Sequence, residues 1–245
     1  MKGADLAAEV RYQGVQRLLE VLRLEGLDQF HAEGVAHMVG EMEAPIPLVE
    51  LLERRSPGWL EAAACQEFGS AYASTARKLG KAALLLTEKE RGGLATAGID
   101  WPLDGWDVDE LGRVILLLRA DPEVVVPAFL HGDNRERQAV LKALPLLPDP
   151  SRWVPLGVEA CRTNVHDVFE ALCCENPFPA KHFPGPNFNQ MVLKALFVGT
   201  RLSRIIRLAE RITPELLRMV ESYASERIAA GRTVPEDVEC LKRMA

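Results

Sequence analysis

Hydrophobic positions recur at spacings of three and four residues through most of the chain, and alternating apolar and polar runs are almost absent. This spacing places apolar side chains on one face of a helix, whereas a half-buried strand needs alternation. The pattern therefore predicts an all-α protein. The first amphipathic helix is expected from about Ala4 to Leu24, with Gly26 just beyond its end.

Helix boundaries are marked most sharply after residue 106. Asp107 or Asp109 can cap a helix through Leu118, and Asp133 with Glu136 three residues later forms a capping box. Further helix starts are indicated by Asp121-Pro122, Asp149-Pro150, Thr213-Pro214 and Thr233 with Glu236, with Gly231 as a stop. Short helices joined by brief turns favour stacked antiparallel helix pairs, as in a HEAT- or armadillo-like right-handed solenoid.

Helix boundaries are less clearly marked in the first half of the chain. The segment from Trp59 to Leu86 is expected to form one or two alanine-rich helices, which Gly92-Gly93 closes. Residues 95–105 are expected to form a loop anchored by Trp101 and Trp106. We interpret residues 1–245 as a single all-helical domain, in which this loop separates an N-terminal lobe, 1–100, from a C-terminal lobe, 107–245, that carries the site.

Charge and composition exclude several classes of protein. Acidic residues number 35 against 29 basic ones, so the net charge of -6 repels phosphate backbones and no nucleic-acid partner is expected. Charged residues interrupt every apolar stretch that could serve as a secretory signal or membrane helix. Five irregularly spaced cysteines are typical of a reducing compartment, where each would be a small buried hydrophobe. These features predict a cytoplasmic protein without a transmembrane segment.

Residues 161–199 differ in composition from the rest of the chain. They hold four of the five asparagines, five of the eight phenylalanines and three of the five cysteines. Amides among aromatic side chains are suited to a pocket, which needs a few hydrogen-bonding groups in apolar walls. A stiff proline-rich loop, 176–186, is expected to lead into a helix at Asn187, with Gln190 in the reciprocal capping position.

Lys194 stands in the apolar helix expected from Phe188 to Val198, on one stripe with Asn187 and Gln190. A lysine in such a helix either extends to solvent or has a partner inside a cavity, and in a cavity the natural partner is an anion. Asn189 lies on another face, where a buried amide is expected to bind neighbouring backbone.

Two further groups of residues can be interpreted either as a functional site or as ordinary parts of a helix surface. His166 and Glu170, with Cys173 one turn on, could place metal ligands on one helix face, but no zinc, phosphate-loop or dinucleotide motif accompanies them. No metal, cofactor or thiol nucleophile is therefore predicted. A basic strip is expected opposite an apolar helix face, either as a solvated surface or as a docking strip for a phosphate-bearing ligand or acidic partner. The strip consists of Arg201, Arg204, Arg207 and Arg211.

Six segments resemble the EboA family of metabolite-traffic proteins, over residues of about 107 to 238. They are Asp133–Pro148, Arg162–Asn164, Val168–Ala171, Asn176-Pro177, Asn189–Phe197 and Glu226–Pro235. The resemblance implies a bacterial protein from a small operon that also encodes a UbiA-like prenyltransferase and moves secondary-metabolite precursors toward the cell envelope. It attaches no reaction to the protein. The matched motifs select Arg162, Thr163, Asn164, Asn176, Asn189, Gln190 and Lys194.

With Glu170 added, these residues form the predicted ligand-binding set, and no catalytic residue is assigned. The first hypothesis is a non-enzymatic helical adaptor or carrier. It binds an amphiphilic anionic metabolite or an operon-encoded partner, including the membrane prenyltransferase, and peripheral association with the inner membrane stays open. The alternative is an enzyme acting on a phosphorylated or prenylated small molecule, with Glu170 or His166 as base and Lys194 and Arg162 as the anion site. A third hypothesis is a structural protein whose amides only tie turns together.

Overall fold

The computed structural model describes residues 44–244 of the 245-residue chain, so the predicted helix from Ala4 to Leu24 lies outside the described residues. Between residues 44 and 244 the chain forms thirteen α-helices and four 3₁₀ turns, with no strand beyond an isolated bridge between Ala83 and Asp107. The all-α prediction is thus confirmed. No helix in this range is long and apolar enough to cross a membrane.

The helices are numbered in chain order. They are α1 Ile46–Arg55, α2 Trp59–Ala64, α3 Phe68–Leu79, α4 Glu88–Thr96, α5 Val108–Arg119, α6 Val125–His131, α7 Asn134–Ala143, α8 Val154–Ala160, α9 His166–Cys173, α10 Phe178–His182, α11 Gly185–Val198, α12 Pro214–Ala229 and α13 Glu236–Met244. The 3₁₀ turns are Pro122–Val124, Pro150–Trp153, Leu202–Arg204 and Ala209–Arg211.

Helix α5 lies in the core, and every residue from Val108 to Leu118 is buried. It packs against α1 and α3 on one side and against α7 on the other. Helix α7 packs in turn against α9, and the chain continues through α11 and α12 to α13. These contacts define which helices are neighbours, whereas the HEAT-like solenoid and the division into two lobes stay predictions.

Several of the predicted helix starts are confirmed by their capping contacts. Asp133 and Glu136 form the expected box, since each backbone N–H donates to the other's carboxylate, at 2.8 and 2.9 Å. Thr213 Oγ1 accepts a hydrogen bond from the N–H of Leu216 at 3.2 Å. Asp107 stands at the N-cap of α5, and Asp109 lies inside that helix. Local chemistry therefore positions these helices.

The segment around Gly92-Gly93 differs from its prediction. These glycines lie within α4 and do not end a helix. Helix α4 begins before the glycines, at Glu88, because Thr87 and Glu90 form a capping box. Arg55 also donates a hydrogen bond to the carboxylate of Glu90 at 2.8 Å. The following loop does bury the indoles of Trp101 and Trp106, as expected.

Candidate functional site: an apolar groove beside Lys194

Helix α11 supplies one wall of the site. It begins at Gly185, with Pro184 at the N-cap and Pro186 in the first turn, where a missing N–H leaves no hydrogen bond unmade. The predicted start at Asn187 with Gln190 as its capping partner is therefore wrong. At the other end, Phe197 is 72% exposed and Val198 is 38% exposed, just before the helix stops.

An open groove of about 780 Å³ runs between α9, α11 and α12. Most of its wall is apolar, and the apolar contributors are Phe169, Leu193, Phe197, Val198, Met219 and Tyr223. The polar and charged contributors are Thr163, Asn164, His166, Lys194, Arg218, Ser222 and Glu226. Apolar walls with a few placed polar groups are the usual composition of a small-molecule site.

The partly buried Lys194 ammonium is the most distinctive group in this groove. Its Nζ donates to the backbone carbonyls of Cys161 and Thr163, both at 2.5 Å, and lies 4.7 Å from the ring centroid of Phe169. Both carbonyls follow the last turn of α8, where unpaired carbonyls and the helix dipole favour a cation. Burial lowers the pKa of Lys194. The amine thus has neutral backbone partners and faces the groove.

Cysteine thiols around the site stay protonated. Burial raises the pKa of Cys161 to about 12, against the opposing effect of Lys194 and Arg162. The pKa of Cys173 is also raised, first by its contact with Cys174, 3.5 Å away between the sulfur atoms, and then by burial. Neither thiol is suited to nucleophilic attack at neutral pH. Cys65 is exposed, so the expectation that each cysteine is buried is wrong there.

Side-chain contacts hold the walls of the groove together. The hydroxyl of Tyr223 on α12 donates to the carbonyl of Leu196 on α11 at 3.2 Å. The Nε2 atom of His166, at the start of α9, lies 3.1 Å from the hydroxyl of the buried Thr200. Because each contact joins two segments, the groove is formed before any ligand arrives.

The predicted site residues fall into separate places. Thr163, Asn164 and Lys194 line the groove. Arg162 is exposed and pairs with Glu159 at 2.6 Å. The remaining amides of the proposed pocket do not line it: Gln190 is exposed, Asn189 is buried within the helix packing, and Asn176 lies elsewhere.

Glu170 and Asn176 line a second, smaller cavity of about 190 Å³ near Trp101 and Trp106. The Asn176 amide donates to the carbonyls of Leu141 and Ala171, at 2.9 and 3.0 Å, and its oxygen accepts from the N–H of Phe178 at 2.9 Å. All of these partners are backbone groups. This amide therefore ties chain segments together, as the structural hypothesis expected of the asparagines.

Glu170 is also engaged. Its carboxylate lies 2.8 Å from Arg204, which in turn makes a two-point contact with Glu175 at 2.8 and 2.9 Å. His166 is 3.8 Å from Glu170, and within residues 44–244 no group of three or more His, Cys, Asp or Glu side chains is arranged to hold a metal ion.

The predicted basic strip does not form. Residues 201–211 contain two 3₁₀ turns and no α-helix, and Arg207 has a positive φ of 56°, so helical spacing does not apply to the segment. Arg204 contacts Glu170 and Glu175, while Arg211 donates to the carbonyls of Ala180 and Phe183 at 2.5 and 2.7 Å. Two of the four arginines thus bind other parts of the fold.

Sequence reasoning missed the wall contributed by α12. Met219, Ser222, Tyr223 and Glu226 line the groove, and their spacing of three, four and seven residues places them on one helix face. The spacing could have shown that these residues share a face. It could not have shown that this face lies opposite α11.

The described chain is thus an all-α protein with an apolar groove and a partly buried lysine in its wall. Residues 48–241 match the family model of metabolite traffic protein EboA, so the chain belongs to the EboA family. The match extends well upstream of the segments that carry the resemblance in the sequence. No curated protein and no solved structure matches the chain.

Proposed function

We propose that this protein is a non-enzymatic carrier that binds an amphiphilic, anionic metabolite in the groove beside Lys194. Thr163, Asn164 and Lys194 of the predicted set contact the ligand, and the apolar wall holds its hydrocarbon part. In this proposal the protein works in the cytoplasm and passes its cargo to an operon-encoded protein, such as the membrane prenyltransferase that the resemblance implies. The family description as a metabolite traffic protein supports this role.

The observation that carries the proposal is the position of Phe197. Its ring is 72% exposed in the wall of a groove that also holds a partly buried ammonium. Covering a phenylalanine side chain with apolar atoms is worth about 1.5–3 kcal/mol. A ligand with an apolar tail and an acidic head can cover Phe197 and meet Lys194 at once.

The enzyme alternative has less support. It needs Glu170 or His166 as a base near Lys194 and Arg162. Glu170 is paired with Arg204, and Arg162 is paired with Glu159 outside the groove. Because only His166 and Lys194 share the groove, we propose binding without catalysis.

Isothermal titration calorimetry with farnesoate tests the proposal. We expect Phe197→Ser to weaken binding by about 10- to 150-fold, the loss of about 1.5–3 kcal/mol of apolar contact. Its free energy of unfolding should change by less than about 0.5 kcal/mol, because the ring is already exposed.

Ile228→Ser is the matched control, since Ile228 is 67% exposed on α12 but does not line the groove. It should bind farnesoate as the parent protein does. Equal loss of binding in both variants, or no binding by the parent protein at millimolar concentration, would contradict the proposal.

A further inference from the structure

We propose that the groove selects a head group with a single negative charge, such as a carboxylate, over a diphosphate. This inference rests on the proposed function and specifies the class of ligand. Three features of the groove carry it: the number of free donors, the charges around them and the neutral polar groups nearby.

The Lys194 ammonium has few donors left for a ligand. It carries three N–H groups, and two of them bind the carbonyls of Cys161 and Thr163. One N–H therefore remains. A diphosphate is recognised by several charged donors or by a two-point arginine contact, whereas one ammonium N–H suffices for one carboxylate oxygen.

The second cation of the groove already has an acidic partner. The Nε and Nη2 atoms of Arg218 donate to the two carboxylate oxygens of Glu215, at 2.9 and 2.7 Å. The Nε–Nη2 edge is thus occupied. A ligand can meet Arg218 only at its Nη1–Nη2 edge, and there the nearby carboxylate of Glu215 already offsets part of the positive charge.

The remaining charges oppose a highly charged anion. Glu226 lines the same groove, and the carbonyls bound by Lys194 follow the C-terminal end of α8, where the helix dipole is negative. A monoanion gains the contact with Lys194 and meets Glu226 with a single charge. Each further negative charge adds repulsion from Glu226 without a second unpaired cation to offset it.

Neutral polar groups complete a carboxylate site. Asn164 and Ser222 line the groove, and an amide and a hydroxyl can each donate to the oxygen that Lys194 does not reach. Such donors bind a carboxylate without adding the positive charge that a diphosphate requires.

Calorimetry with three farnesyl compounds at pH 7.5 tests the inference, with farnesol, farnesoate and farnesyl diphosphate sharing one apolar tail. We expect farnesoate to bind at least tenfold more tightly than either of the others. Glu226→Gln removes a carboxylate without touching Lys194, and it should strengthen diphosphate binding severalfold more than farnesol binding.

Lys194→Met should lower farnesoate binding to the level of farnesol, while Lys242→Met, an exposed lysine on α13 outside the groove, leaves it unchanged. Glu226→Gln keeps the test valid if Lys194→Met fails to fold. If farnesyl diphosphate binds most tightly, the inference is wrong and the carrier function stands; if all three bind equally, the inference is wrong and so is the role of Lys194 in the carrier function. If none binds, both fail.

Discussion

Charged side chains lie among apolar ones in two regions of this molecule, around α5 and beside α11. In the first region Asp109 and Arg113 are fully buried and 2.6 Å apart, and Arg135 contacts the same carboxylate at 2.5 Å. Glu110, also buried, lies 2.7 Å from Lys142. Each of these charges meets one of opposite sign.

The charged group of the groove has partners of a different kind. Lys194 is held by two backbone carbonyls, which are neutral groups, so its positive charge is not cancelled by a carboxylate in direct contact. Lys194 also lines an open groove, whereas the network around α5 is closed by its own partners. The comparison teaches that burial of a charge does not by itself identify a binding site. What matters is whether the partners cancel the charge.

The largest expected effect is in the closed network. Asp109→Asn leaves the guanidinium of Arg113 buried without a carboxylate, which should lower the free energy of unfolding by about 3–5 kcal/mol. Urea denaturation measures this change. Glu239→Gln is the control, because it breaks an exposed pair with Lys242, worth less than about 1 kcal/mol. If Asp109→Asn lowers the free energy of unfolding no more than Glu239→Gln does, the buried network does not stabilise the fold as proposed.

Asn176 tests the same difference between structural and ligand-binding groups. The sequence predicted that it binds ligand, but in the structure its amide binds only backbone groups. Asn176→Ala leaves two carbonyls and one N–H without their partners, so the free energy of unfolding should fall by about 1–3 kcal/mol. Farnesoate binding should not change.

Gln190→Ala is the matched control for Asn176. This amide comes from the same predicted set and is exposed, so its removal should alter the free energy of unfolding by less than about 0.5 kcal/mol. Equal effects in the two variants would show that the contacts of Asn176 add nothing to stability.

The smallest effect concerns the thiol of Cys161, whose carbonyl binds Lys194, and depends on pH. The pKa of the Cys161 thiol is about 12 in the folded protein, so between pH 9 and pH 12 the unfolded chain releases a proton that the folded chain retains. The free energy of unfolding therefore falls as pH rises in this window. Between pH 8 and pH 10 we expect Cys161 to contribute a loss of about 1.4 kcal/mol.

Comparison with Cys161→Ala isolates this contribution, because every other titrating group is present in both proteins. The variant should lose about 1.4 kcal/mol less than the parent protein between the two pH values. Cys65→Ala is the control at an exposed thiol and should follow the parent protein. Parallel pH profiles for all three would mean that water reaches the Cys161 thiol.

Three asparagines of residues 161–199 have three different roles in the structure, which the sequence did not distinguish. Asn164 lines the groove, Asn176 binds backbone in the core, and Asn187 does not cap the helix in which it stands. The residue type is the same in all three cases, and the local spacing is compatible with each of the three roles. The role of Asn176 depends on a segment 35 residues away, which contains the carbonyl of Leu141, whereas Asn187 fails to cap because Pro184 already starts the helix.

By itself the sequence determined the helical class and several helix starts, because apolar spacing and capping side chains act within a few residues of one another. The compositional difference of residues 161–199 also drew attention to Asn164 and Lys194, which line the groove that we propose as the site. Only the tertiary structure decided that α12 faces α11, that Arg204 and Arg211 bind inside the fold, and that Lys194 keeps an open side. Those outcomes depend on contacts between segments distant in the chain, which local periodicity does not encode.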